Sequence, residues 1–139
     1  MAISEFTKAI GVNPNYTNAY WMRGYSYEKL GQEQNVITDY TKAIQLDPDY
    51  ADAYNNRGFM QYWVLQHQEA INDLNEAIRI DPDDSYPYFF RATAYRSWAG
   101  DYQCEKTTPN EKCELLLANT DADKAKACSL DSRFCVWEP

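Results

Sequence analysis

Pro14, Pro48 and Pro82 stand 34 residues apart, each inside a matching stretch: Asn13-Pro14-Asn15-Tyr16, Asp47-Pro48-Asp49-Tyr50 and Asp81-Pro82-Asp83-Asp84. The interval governs the flanking residues too. Phe6, Ala9 and Ile10 precede the first proline as Tyr40, Ala43 and Ile44 precede the second and Leu74, Ala77 and Ile78 the third. Behind the prolines, Ala19 and Tyr20 lead to Arg23-Gly24, Ala53 and Tyr54 to Arg57-Gly58, and Pro87 and Tyr88 to Arg91-Ala92. A fixed period of this length specifies an array of small units, each burying its apolar face on its neighbour. Every period holds two runs of about a dozen residues with apolar spacing of three and four, which predicts paired helices.

The recurring residue sizes have a packing reason. Gly24, Gly58, Ala92, Ala43 and Ala77 allow helix backbones to approach, and large residues opposite them fill the space that remains. The residue before each proline is driven out of the helical region, so each unit ends itself in a turn.

The period and these residues resemble the tetratricopeptide repeat (TPR). Residues 17–50 fit that pattern with Tyr20, Gly24, Tyr27, Val36, Tyr40, Ala43 and Pro48. Residues 51–84 fit with Tyr54, Gly58, Ala70, Leu74, Ala77 and Pro82, and a third unit opens with Tyr88, Ala92 and Tyr95. The resemblance implies an all-α helix-turn-helix solenoid of about seven helices, coiled as a right-handed superhelix. We read residues 1–139 as a single TPR domain. Residues 1–16 form a half repeat with its second helix only, 17–50 the first full repeat, 51–84 the second, 85–131 a third with an insertion around 104–113, and 132–139 a tail. Residues 1–10 lack the basic start and long apolar centre of a signal peptide.

The chain has 139 residues, 13 Lys+Arg against 21 Asp+Glu and a formal net charge of -8. That charge repels a phosphate backbone, so nucleic acid is not expected as a partner. No apolar run is long enough to span a bilayer, so membrane insertion is not expected either.

Cys104, Cys113, Cys128 and Cys135 all fall near the C-terminus, without the close pairs of a structural zinc site. Three pairings are open. The most local joins Cys104 to Cys113 across the insertion and Cys128 to Cys135 at the tail, giving a stapled C-terminal cap; four reduced thiols are the alternative. Disulfides imply an oxidising, extracytoplasmic or secreted setting, and reduced thiols a cytoplasmic one.

Nothing in the pattern points to catalysis, a metal or a cofactor, and the chain is not expected to be an enzyme. His67, the only histidine, reads as a polar surface residue in the turn between two helices, and no nucleophile motif accompanies it. Asp47, Asp49, Asp81, Asp83 and Asp84 lack the twelve-residue calcium loop and read as helix caps. Arg23, Arg57 and Arg91 recur at the period, as do Asp39 and Asp73, which predicts a structural pair made once per unit.

The resemblance also implies where a ligand sits, because in TPR arrays the first helices line a concave face. The first unit supplies Asn18, Trp21, Met22, Tyr25, Glu28 and Lys29 there. The second supplies Asp52, Asn55, Asn56, Phe59, Tyr62 and Trp63, and the third Tyr86, Phe89, Phe90, Thr93, Arg96 and Ser97. The co-chaperone members of the family hold a terminal carboxylate with lysines, an arginine and asparagines at positions occupied here by Trp21, Tyr25, Asn56, Tyr86 and Phe90; only Asn56 matches, so a chaperone-tail receptor is not expected. Of the 4 Trp, 12 Tyr and 5 Phe, Tyr20, Tyr27, Tyr40, Tyr54, Tyr88 and Tyr95 are assigned to packing between helices. The rings left over suit an extended peptide or a helix with apolar or proline-rich anchors and some positive charge. The expected function is therefore a protein-interaction scaffold that binds a protein or peptide segment. The alternative is a subunit that self-associates head-to-tail through its exposed half repeat. Asn15-Tyr16-Thr17 forms a sequon in an inter-helix turn, making Asn15 a glycosylation candidate.

Overall fold

The computed structural model describes residues 2–104 and 111–136. Among these, seven α-helices follow one another: α1 (Ala2–Val12), α2 (Thr17–Lys29), α3 (Glu33–Leu46), α4 (Ala51–Trp63), α5 (His67–Ile80), α6 (Ser85–Asp101) and α7 (Glu111–Leu130), then a 3-10 turn at Ser132–Phe134. Each helix packs on the next in chain order, and α4 also touches α6. This nearest-neighbour packing makes a solenoid. Residues 105–110 of the expected insertion, and 137–139 of the tail, lie outside the described residues.

Two kinds of turn build the array. Within each hairpin the chain reverses through a left-handed residue, Gly31 (φ 66°), Leu65 (φ 61°) and Gln103 (φ 53°). The amide that follows donates five residues back, Gln32 to Tyr27, Gln66 to Gln61 and Cys104 to Ala99, at 2.9–3.1 Å. These are helix-ending turns that favour glycine at the left-handed position, and Leu65 and Gln103 adopt it at a steric cost. Between hairpins, the side-chain Oδ1 of Asn13, Asp47 and Asp81 accepts from the backbone N–H of Asn15, Asp49 and Asp83 at 3.1–3.2 Å. Of the acids read as helix caps, Asp47 and Asp81 therefore close the turn after a helix, and Asp49 and Asp83 supply the backbone N–H to it. Asp84 is the exception: its carboxylate accepts from Tyr86 N–H and caps α6.

Helix contact depends on residue size. A Cβ added to Gly24 would lie 2.8 Å from Tyr40 Cε1, and one added to Gly58 2.9 Å from Leu74 Cγ. Tyr40 and Leu74 are fully buried, so each glycine is the gap that a large side chain fills. Burial of such side chains contributes about 1.5–3 kcal/mol each.

The periodic arginines make the expected pair, and more. Arg57 donates from Nε and Nη2 to both carboxylate oxygens of Asp73 (2.6 and 2.7 Å) and from Nη1 to Thr41 Oγ1 (3.0 Å). Arg23 repeats this with Asp39 and Thr7, and Arg91 with Asp123 and Asn75. Each guanidinium also lies 5.7–5.9 Å from a tyrosine ring, Tyr20, Tyr54 or Tyr88. One arginine thus joins the second helix of the preceding unit to the second helix of its own. Burial opposes the charge on Arg91, but its bonds to Asp123 hold the guanidinium pKa above its ordinary value.

The third partner, Asp123, measures the insertion. Arg23 and Arg57 reach 16 residues forward, whereas Arg91 reaches 32. The turn acid shows the same offset: Asp131 Oδ1 accepts from Arg133 N–H at 2.9 Å, repeating the turn of Asp81 after 50 residues rather than 34. The sixteen extra residues are spread out. Among the described residues, α6 is four residues longer than α2 and α4, and α7 six longer than α3 and α5. The described part of α7 begins at Glu111, inside the insertion expected around 104–113. The lengthened tip carries its own small core of Ala99, Cys104, Cys113 and Leu116, flanked by Tyr95, Trp98 and Leu117. Cys104 is bonded to Cys113 there, and Cys128 to Cys135 across the last turn.

His67 is not a surface turn residue. It is only 6% exposed, stacks on Trp98 at 6.2 Å and bonds through Nε2 to Asp101 Oδ2 at 2.7 Å. The extra turn of α6 supplies Asp101, so the insertion that the period could not place is what buries the histidine.

Candidate functional site

The first helices α2, α4 and α6 line a cavity of about 520 Å³ walled by Tyr25, Glu28, Lys29, Asn55, Asn56, Phe59, Tyr86 and Phe90. The helical repeat places Asn55 and Phe59, and Tyr86 and Phe90, one turn apart on a single face. The rings form two clusters. In one, Phe59 lies 4.5 Å from Phe90, and Tyr86 6.1 Å from Phe90. In the other, Trp21 stacks on Tyr25 at 6.0 Å and meets Tyr50 at 6.1 Å.

Polar groups are few and fixed. The Tyr40 hydroxyl donates to Glu28 Oε2 at 3.2 Å and accepts from Asn56 Nδ2 at 3.5 Å, which orients both groups from beneath. Burial first, and Glu28 next, push the Tyr40 phenol well above its ordinary pKa, so it remains a proton donor. Asn55 is 8% exposed, and its Oδ1 has no hydrogen-bond partner in the fold; neither does the buried Trp21 Nε1. Lys29 Nζ rests 4.7 Å from the centroid of Tyr25. At the N-terminal end of α6, the Asp84 carboxyl is raised above the usual range, by burial foremost and then by Asp81 and Asp52.

Tyr25, Asn55, Asn56, Phe59, Tyr86 and Phe90 are thus brought together, with Glu28 and Lys29 among them. Trp63 extends the Phe59 cluster outward, 62% exposed and edge-on to Phe59. Asn18, Tyr62 and Phe89 are not part of the cavity wall. Asn18 accepts from the Tyr50 hydroxyl at 3.2 Å, and Tyr62 packs beside Ala70, Ile71 and Ala94. Phe89 lies 4.7 Å from Phe134, whose ring also meets Tyr86 at 5.3 Å. Asn15 is exposed in its turn. The period contains a signal for Phe134 once the sixteen-residue offset is known. It follows Asp131 by three, as Tyr50 follows Asp47, and it covers Phe89 as Tyr50 covers Trp21.

Among the described residues, no group of three or more His, Cys, Asp or Glu is placed to hold a metal, and no helix is long and apolar enough to cross a membrane.

Two family models match: a TPR repeat over residues 36–62 and a tetratricopeptide repeat over residues 51–84. No curated protein matches by sequence. Similar solved structures include the crystal structure of MamA (TM-score 0.79, 20% identity, 94% of this chain and 67% of that one). The first TPR of Spaghetti (RPAP3) bound to the HSP90 peptide SRMEEVD gives 0.69, 20% identity and coverage of 84% and 79%. The TPR2B domain of yeast Sti1 in complex with an Hsp70 peptide gives 0.65, 24% identity and coverage of 84% and 83%.

Proposed function

Because the chain is a tetratricopeptide-repeat protein, we propose that it is a non-enzymatic protein-interaction scaffold that binds a peptide or protein segment against the aromatic face of α2, α4 and α6. The cavity walled by Tyr25, Phe59, Tyr86 and Phe90, with Asn55 and Asn56 between the rings, carries this reading. Exposed aromatic side chains on rigid helices supply apolar contact area at low entropic cost, and the amides supply bonds to an extended backbone. Two fold neighbours were solved with peptides bound. Their shared fold is consistent with a peptide as the occupant.

The test is a randomised peptide display library selected against the intact, oxidised chain, followed by mapping of the bound peptides by amide chemical shifts. Shifts should concentrate on α2, α4 and α6. Tyr25→Ala and Tyr86→Ala, at exposed positions, should each weaken binding several-fold at unchanged melting temperature. Peptides that map to α3, α5 and α7 instead would overturn the proposal.

Self-association is the second reading. It rests on α1, which buries none of its residues, and on a furrow of about 300 Å³ lined by Ala2, Ile3, Tyr25, Ser26, Lys29 and Leu30. Light scattering at rising concentration decides it, since a mass that stays at one chain rejects head-to-tail assembly.

A further inference from the structure

The cavity between α2, α4 and α6 has a charge preference of its own. Four aromatic rings wall it, and ring faces are electron-rich. Its one carboxylate, Glu28, is held in place by the Tyr40 hydroxyl. Asn55 and Asn56 set amide groups between the rings at the wall. The helices that frame the cavity begin with Asp52 on α4 and the Asp84 cap on α6, and the chain as a whole carries a net charge of -8. The fold already places a cation at this wall, since the Lys29 ammonium rests 4.7 Å from the centre of Tyr25. Lys29 is exposed on a flexible stem at the last turn of α2, so it lies against the cavity without filling it.

We propose that this cavity seats a lysine or arginine side chain of the peptide bound in the groove, cradled by Tyr25, Phe59, Tyr86 and Phe90, with Glu28 as its counter-charge. The proposal rests on the peptide-groove reading and adds the class of residue recognised. Desolvated contact between a cation and aromatic faces, with a carboxylate at hand, is the chemistry that selects such a side chain. An anionic segment would instead meet Glu28 and the π faces, which oppose it. Lys29 is then the internal competitor for the same rings.

The experiment uses peptides recovered from the randomised library and mapped to α2, α4 and α6, measured by fluorescence anisotropy with the intact chain. Replacing the basic residue by norleucine should weaken binding about tenfold, within the range expected of a desolvated cation–π contact. Glu28→Gln, which keeps a bond to Tyr40 available, should weaken basic peptides about threefold to tenfold and leave their norleucine counterparts unchanged. Lys29→Met should strengthen basic peptides, and rising salt should weaken them. Groove-bound peptides that tolerate norleucine, or a Glu28→Gln variant that binds basic peptides unchanged, would overturn this assignment while leaving the groove intact. A library that yields no groove-bound peptide removes the groove reading and this one with it. Circular dichroism melts of each variant ensure that a lost fold is not scored as a lost contact.

Discussion

One substitution, glycine to alanine, should change sign along this chain according to what the new methyl meets. In a helix interior, alanine is favoured over glycine by about 1 kcal/mol. At Gly11 and Gly100 a Cβ finds nothing within 4 Å, so Gly100→Ala should raise stability by about 0.5–1 kcal/mol, less if the end of α6 frays. At Gly24 the Cβ meets Tyr40 ring atoms at 2.8, 3.0 and 3.3 Å. That ring is fully buried and its hydroxyl is tied to Glu28 and Asn56. Overpacking of this kind costs about 1–3 kcal/mol, which exceeds the propensity gain and leaves a net loss of about 1 kcal/mol. At Gly58 the methyl meets Leu74 Cγ at 2.9 Å, the Ala70 backbone carbonyl at 3.1 Å and Asp73 Cβ at 3.3 Å. A main-chain oxygen cannot rotate away, and Asp73 is held by the Arg57 fork, so Gly58→Ala should lose about 2 kcal/mol. Equilibrium urea unfolding followed by far-ultraviolet circular dichroism, disulfides intact, gives each difference. The expected order is Gly100→Ala above the parent, then Gly24→Ala, then Gly58→Ala. A Gly58→Ala protein as stable as the parent would refute the claim that backbone approach at this position sets the packing of α4 on α5.

Arg57→Met should cost about 3 kcal/mol by stranding the buried Asp73 carboxylate, while Arg57→Met combined with Asp73→Leu should recover most of it; a double variant as damaged as the single would show that the charge pair is not the issue. Leu65→Gly should stabilise the α4–α5 turn by up to about 1 kcal/mol, since Leu65 holds φ at 61° where Gly31 serves in the preceding unit; urea midpoints with unchanged slope check it. Asp84 should show a pH signature in stability. Its folded carboxyl is raised by burial and by Asp81 and Asp52, so the charged form is a penalty that is relieved as pH falls through the folded pKa. Asp84→Asn, which keeps an acceptor for Tyr86 N–H, should therefore exceed the parent at neutral pH, and the advantage should vanish once pH lies below the unfolded carboxylate value; an advantage independent of pH would refute the assignment.

Much of this molecule is legible in the sequence because its determinants are local and repeated. Pro48 and Pro82 with their turn acids mark where hairpins end, and Gly24 and Gly58 mark where helices touch. Arg23 and Arg57 announce a pair with Asp39 and Asp73 before any coordinate does. The same periodicity sorts Tyr20, Tyr54 and Tyr88 from the rings on α2, α4 and α6, because a residue's place in a 34-residue unit sets which side of its helix it occupies.

Where the repeat is broken, only the tertiary structure decides. Sixteen inserted residues displace Asp123 and Asp131 from the positions the period assigns, so Arg91 has no visible partner in the sequence and Phe134 no visible role. Their function follows from register, which the lengthening of α6 and α7 restores in space. His67 illustrates the same limit: its burial depends on Trp98 and Asp101, more than thirty residues away on a helix whose extra turn cannot be read from its own composition. In the groove, the period names the helices that face it, but which rings share one cavity with Glu28 and which turn away, as Tyr62 does, depends on side-chain directions set by neighbouring helices. A periodic sequence determines the unit and its stacking, since each contact is made within one repeat of its neighbour. The interruption and the shape of the cavity belong to the assembled fold, because they arise from contacts that skip the period.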